Sequence, residues 1–157
     1  MTNPVYTAEA RVEGGRDKGR GRTPGGEIDL PLRLPEELGG AGGGANPEQL
    51  LAIGYAACFE ASMTVAARRV GLPVASVSDV AIDASVMLIA GADGRFQLGC
   101  ELDVWLPSVD DAEKAAELVH ATHAICPYSR ALRGNVPVAT SVNGIALDEE
   151  VAAALGI

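Results

Sequence analysis

The chain has 157 residues, 48% of them hydrophobic, which is enough for one domain with a real core. Its 21 acidic and 12 basic residues leave a formal charge of −9, arguing against nucleic acid or an anionic membrane as the main partner. Three cysteines, Cys58, Cys100 and Cys126, are odd in number and form no C-x-x-C pair, so a secreted disulfide framework and a zinc ribbon are both disfavoured and a reducing cytoplasm fits.

The N-terminal MTNPVYTAEARVEGG lacks the charged-then-apolar pattern of an export signal. Val5 to Glu13 alternates apolar with small or polar residues and reads as a first strand. The following GGRDKGRGRTPGG reads as a loop that carries Arg16, Lys18, Arg20 and Arg22. Ile28, Leu30, Leu32 and Leu34 then alternate with Asp29, Pro31 and Arg33, a half-buried strand whose proline suits a sheet edge. Strand, loop and strand predict a hairpin. Gly39 to Gly44, GGAGGG, predicts a flexible hinge into the next element; it lacks the Gly-Lys-Ser/Thr ending of a phosphate loop.

Asn46 to Gly71, NPEQLLAIGYAACFEASMTVAARRVG, predicts the long helix on which the rest is organised. Asn46 suits the N-cap, Pro47 the first helical position and Glu48 the positive end of the dipole, while Arg68, Arg69 and Gly71 close the other end. The helix is apolar almost all round, so it should be buried on most sides, which in so short a chain predicts a homo-oligomer. Its longest apolar run, Leu50 to Phe59, is shorter than a bilayer requires, so no membrane association is expected. Two β-rich runs follow, Val77 to Ile89 and Arg95 to Leu106, joined by a turn at Gly91 to Gly94. Cys100 in the second run reads as a small buried hydrophobe. Asp110 and Asp111 start a second helix, AEKAAELVHATHAI, which Pro127 should break or kink. A short helical turn from Tyr128 to Arg133, a last strand carrying Val136, Val138, Thr140 and Val142, and a short helix in the tail Asp148 to Ile157 complete the prediction.

Candidates for chemistry are few. His120, His123 and Cys126 lie at i, i+3 and i+6, a geometrically conceivable metal site, but no fourth ligand stands at matching spacing and packing histidines are the commoner reading; no metal is expected. No G-x-S-x-G or paired-carboxylate motif supports hydrolysis. Cys58 is either an inert filler of a helix interface or a nucleophile. For the second role a thiolate is needed, burial alone works against it, and a guanidinium held by a carboxylate would offset the burial.

Two segments carry a resemblance. NPEQLLAIGYAACF (Asn46 to Phe59) and CPYSRALRGNV (Cys126 to Val136), with GGRDKGR upstream, closely resemble the organic hydroperoxide resistance proteins, within the wider osmotically inducible protein C class. The resemblance implies one peroxidase domain over residues 1–157, made of an N-terminal hairpin and glycine-rich connection (1–45), the central helix (46–71), and a hairpin, second helix and last strand (72–157). It implies an α+β fold with antiparallel sheets packed around the central helix in an intertwined homodimer. The implied activity is thiol-dependent reduction of alkyl and fatty-acid hydroperoxides, with no bound cofactor and an external lipoyl-type dithiol, dihydrolipoamide or a lipoylated protein, as reductant. By the same resemblance Cys58 is the peroxidatic cysteine, Cys126 the resolving one, and Glu48 the anchor of a catalytic arginine. Lys18 is an insertion in the family's arginine loop, so Arg20 is the best match, with Arg22 and Arg16 as fallbacks. Phe59, Met63, Ile125 and Tyr128, which flank the two cysteines, are expected to line an apolar substrate channel. The alternatives are a sister-branch thiol peroxidase with a different peroxide preference and a non-catalytic structural or ligand-binding dimer.

Overall fold

A computed structural model describes residues 3–147. The expected tail helix lies outside them. The chain divides into two compact units, Met1–Leu50 and Leu51–Ile157.

In the first unit the expected hairpin is a three-stranded antiparallel sheet, β1 (Arg11–Glu13), β2 (Gly19–Arg22) and β3 (Asp29–Leu32), in that order. The additional strand, β2, and the short helix α1 (Gly15–Lys18) both form within the stretch expected to be a loop. Two consecutive glycines make this possible: Gly14 and Gly15 have φ of +89° and +70°, and a side chain on Gly14 would press on the Lys18 carbonyl. The glycine run after β3 is tied back rather than loose. Gly40 and Gly42 donate backbone N–H groups to the carbonyls of Pro35 and Leu34, and Ala45 pairs beside β3 through Arg33 N–H to Ala45 O at 2.8 Å and Ala45 N–H to Pro31 O at 2.9 Å.

The central helix, α2, runs over Pro47–Arg69 without interruption. Asn46 Oδ1 accepts from the Gln49 N–H at 2.8 Å while Gln49 Oε1 accepts from the Asn46 N–H at 3.1 Å, a reciprocal cap that satisfies two donors at the helix start. At the other end the Leu72 N–H reaches back to the Ala67 carbonyl, which closes the helix around Gly71. As a whole this helix has the length and apolarity of a membrane-crossing segment, more than its longest apolar run suggested. Here one stripe of it, Tyr55, Phe59, Met63, Ala66 and Ala67, is core.

The second unit holds a four-stranded sheet in the order β4 (Ala81–Ala90), β5 (Phe96–Trp105), β6 (Val138–Val142), β7 (Ile145–Leu147). The hairpin β4–β5 turns at Gly91 to Gly94 as expected. The sheet is not purely antiparallel: β5 and β6 run parallel, because the chain between them crosses over through the helices α3 (Ala112–Ile125) and α4 (Pro127–Leu132). Asp111 caps α3 by accepting from the N–H groups of Glu113 and Lys114. Pro127 separates α3 from α4, and Cys126 sits at the break with φ −58° and ψ 120°, the extended geometry that a following proline favours. Cys100, Leu102 and Val104 of β5 face inward at alternate positions and meet the buried stripe of α2 and Ala115, Leu118 and Val119 of α3. Each fully enclosed large side chain contributes on the order of 2 kcal/mol, so this sandwich of sheet and helices fixes where Cys58 and Cys126 stand.

Candidate active site

Cys58 is on the fourth turn of α2 and Cys126 at the α3–α4 break, 68 positions apart in the chain, and their sulfurs lie 3.4 Å apart. Both thiols are free. Cys126 is fully buried, whereas Cys58 is half-buried. Burial pushes the Cys58 thiol above its ordinary range; the backbone N–H of Tyr128 pulls the other way, and the neighbouring Cys126 sulfur pushes it further up. The opening of α4 therefore supplies one donor to Cys58 and no positive side chain. Cys100 is buried in β5, outside the pair, and its thiol is raised by burial alone.

Of the expected channel residues, Tyr128 is 40% exposed beside Cys58, and Ile125 is half-buried. Phe59 and Met63 are fully enclosed and support the site from within the core. The Tyr128 ring stacks on Tyr55 with centroids 6.2 Å apart. It can lie across α2 because position 54 is glycine: a Cβ there would stand 3.3 Å from the ring.

Behind the thiols runs a chain of polar side chains that the sequence reading missed. Tyr55 Oη and Ser129 Oγ share a hydrogen bond of 3.0 Å, Ser129 Oγ meets His123 Nδ1 at 3.0 Å, and His123 Nε2 meets Thr140 Oγ1 at 3.1 Å. Both ring nitrogens of His123 are thus committed, and among the described residues no group of three metal-ligating side chains comes together. Burial, reinforced by His120 and Arg133, pushes the His123 imidazolium down to about 4, so the ring is neutral near pH 7. Tyr55, enclosed beside it, is pushed up to about 12, mainly by burial, and keeps its proton. No feature of the sequence singled out Tyr55 and Ser129 as partners; they meet only when α4 folds against α2.

The arginines are arranged differently from expectation. The pair expected between Arg20 and Glu48 is not formed: Arg20 is clamped by Asp29, Nε to Oδ1 at 2.6 Å and Nη2 to Oδ2 at 2.8 Å. The register explains it, since Arg20 opposes Pro31 and Arg22 opposes Asp29, so Arg20 reaches the carboxylate diagonally on one face of the sheet. Arg22 pairs with Glu13 at 3.1 Å. Among the described residues Arg16, on α1, makes no ion pair, and Glu48, half-buried in the first turn of α2, makes no side-chain hydrogen bond.

Residues 40–141 match the OsmC-like protein family. The chain is 45% identical over 135 residues to the organic hydroperoxide resistance protein of Xanthomonas axonopodis pv. citri, covering 85% of this chain and 92% of that one. It is 38% identical to the organic hydroperoxide resistance protein OhrB of Bacillus subtilis, again over 85% of this chain and 95% of the relative. The crystal structure of OhrB superposes with a TM-score of 0.78, covering 89% of this chain and all of that one. That of an organic hydroperoxide resistance protein from Legionella pneumophila superposes with a TM-score of 0.81 at 41% identity, covering 89% and 98%. This chain belongs to the organic hydroperoxide resistance family. The resemblance noted in the sequence rested on the segments around Cys58 and Cys126, and those two segments build the thiol pair of this family member. The alternation Gly-Arg-Gly-Arg at 19–22 was the available signal for β2, and with it for the diagonal clamp on Arg20.

Proposed function

We propose that this protein is a thiol peroxidase that reduces organic hydroperoxides to alcohols through Cys58 and Cys126. One observation carries the proposal: two free thiols 68 positions apart face each other at 3.4 Å, one half-exposed and one enclosed. The names of the relatives, organic hydroperoxide resistance proteins, support the substrate class. The Cys58 thiolate attacks the oxygen distal to the organic group; the O–O bond breaks, the alkoxide takes a proton and leaves as an alcohol, and Cys58 becomes a sulfenic acid. The Cys126 thiol then displaces the sulfenic hydroxyl, forming the Cys58–Cys126 disulfide and releasing water. With no C-x-x-C of its own, the chain takes two electrons per turnover from an external dithiol, for which a lipoyl group, dihydrolipoamide or a lipoylated protein is the proposed source. A reducing cytoplasm suits the three free thiols.

Burial opposes the thiolate, so the mechanism needs a cation, and we assign that role to Arg16 in place of Arg20, since Arg20 and Arg22 are already paired. Glu48 is its proposed anchor. Ten residues of uninterrupted helix separate Glu48 from Cys58 by about 15 Å, so the Glu48 that serves a given Cys58 is proposed to come from a second copy packed antiparallel. The outer stripe of α2 supports a homodimer: Leu50, Ile53 and Val65 are exposed in the single chain, Ile53 to 68%. Tyr128 and Ile125 are the proposed apolar walls for the substrate, with Phe59 and Met63 beneath them. The test is steady-state turnover with dihydrolipoamide: a bulky alkyl hydroperoxide should be reduced faster than hydrogen peroxide, and no turnover of either refutes the assignment.

A further inference from the structure

We infer that His123 is a positioning residue for the resolving step: by tying α3, α4 and β6 together it holds the Cys126 sulfur where the oxidised Cys58 must be met. The inference rests on the peroxidase reading above. The α3–α4 break puts Cys126 on a single non-helical residue between two helices, so α4 has a natural pivot at the resolving cysteine. Backbone bonds on either side, Cys126 N–H to Thr122 O and Arg130 N–H to Cys126 O, hold each helix but do not link one to the other. His123 lies three residues before the pivot and Ser129 three after it, and the bond between them closes the break like a staple. The other imidazole nitrogen anchors the staple to β6 through Thr140, and Ser129 passes it on to Tyr55, one turn before Cys58 on α2. The Phe59 ring packs against the imidazole at 4.7 Å with an interplanar angle of 64°, which fixes the ring plane.

The chemistry explains why such a frame matters. When the sulfenic acid condenses with Cys126, an S–S bond forms, the S–O bond breaks, and the Cys126 proton leaves with the hydroxyl as water. The sulfurs must close from 3.4 Å to about 2.05 Å. They already stand at near-attack distance, where a 1 Å misplacement can cost about a hundredfold in rate. A second peroxide competes for the sulfenic acid and carries it to sulfinic acid, so a slower closure appears directly as over-oxidation. A histidine serving only to fill space would bury two ring nitrogens for no gain over phenylalanine or leucine; here each has a partner, and among the described residues no buried side-chain nitrogen or oxygen lacks one.

The test is a single turnover with one equivalent of cumene hydroperoxide, following Cys58 oxidation and disulfide formation separately, the latter by acid quench and mass spectrometry. In His123→Leu and Ser129→Ala the oxidation rate should stay within about twofold of wild type while disulfide formation slows about tenfold or more. The sulfinic fraction should rise with added peroxide, and His123→Asn, which can still bond Ser129, should recover more of the second step than His123→Leu. Should His123→Leu fail to fold, Ser129→Ala and Thr140→Val, each removing one of the two hydroxyls that His123 bonds, decide the matter. Disulfide formation at the wild-type rate in these variants, or equal slowing of both steps, overturns the inference. A wild-type protein that forms no disulfide under the same conditions removes the peroxidase reading and this inference with it.

Discussion

For Cys58 to act as a nucleophile its surroundings must offset burial, which raises the thiol and which, among the described residues, one backbone N–H, that of Tyr128, counters. A single hydrogen bond to a neutral amide does not offset the removal of a thiolate from water, whereas a guanidinium supplies charge and two donors together. Arg20 cannot do so without giving up Asp29, which holds it through two bonds. Arg16→Ala should therefore shift the pH profile of Cys58 alkylation by iodoacetamide to higher pH and slow peroxide reduction at pH 7 by about tenfold or more, while Arg20→Ala should leave the profile near wild type. The opposite ranking would return the role to Arg20. The two facing cysteines stood out in the sequence because each sits inside a long motif. The pairing of the arginines was not legible, because which of Arg16, Arg20 and Arg22 has a carboxylate across the sheet is set by strand register.

Among the elements, α2 was the most legible, with its limits given within two residues by Asn46, Pro47 and Gly71. The strand β7 was missed, being only three residues long, too short for a periodic signal. Its mark was Asn143-Gly144, two successive residues at φ +48° and +80°, the pairing that a tight hairpin turn demands. The α3–α4 break was read correctly from Pro127, but the staple across it was not, since sequence spacing put His123 in a row with His120 rather than opposite Ser129. That staple has a pH signature. An unfolded histidine titrates near 6.5 and the folded one at about 4, so between these values the unfolded chain takes up a proton that the folded chain refuses. The stabilisation is complete above pH 6.5 and is lost as pH falls through about 4, on the order of 3 kcal/mol in all. Urea denaturation from pH 7 to 4 should show this loss in wild type and a shallower one in His123→Gln. Equal slopes would mean that His123 is not held neutral.

At the scale of the whole molecule, a helix with one stripe in the core and another exposed fits a protein completed by a second copy of itself. The same stripe explains why the sequence reads as apolar all round although only part of the helix is buried within one chain. If each site takes Glu48 from the opposite chain, mixing inactive Cys58→Ser and Glu48→Ala chains should restore roughly a quarter of wild-type activity once subunits exchange at random. No recovery despite proven exchange would place Glu48 and Cys58 of one site in a single chain. The central claim, that Cys58 and Cys126 form one redox pair with Cys100 outside it, has the most direct test of all. The wild-type protein, reduced and then treated with one equivalent of an alkyl hydroperoxide, should yield one equivalent of alcohol and a peptide map with a single disulfide between Cys58 and Cys126. Cys100→Ser should give the same result. A disulfide that includes Cys100, or alcohol formed with Cys58 still reduced, would contradict the account.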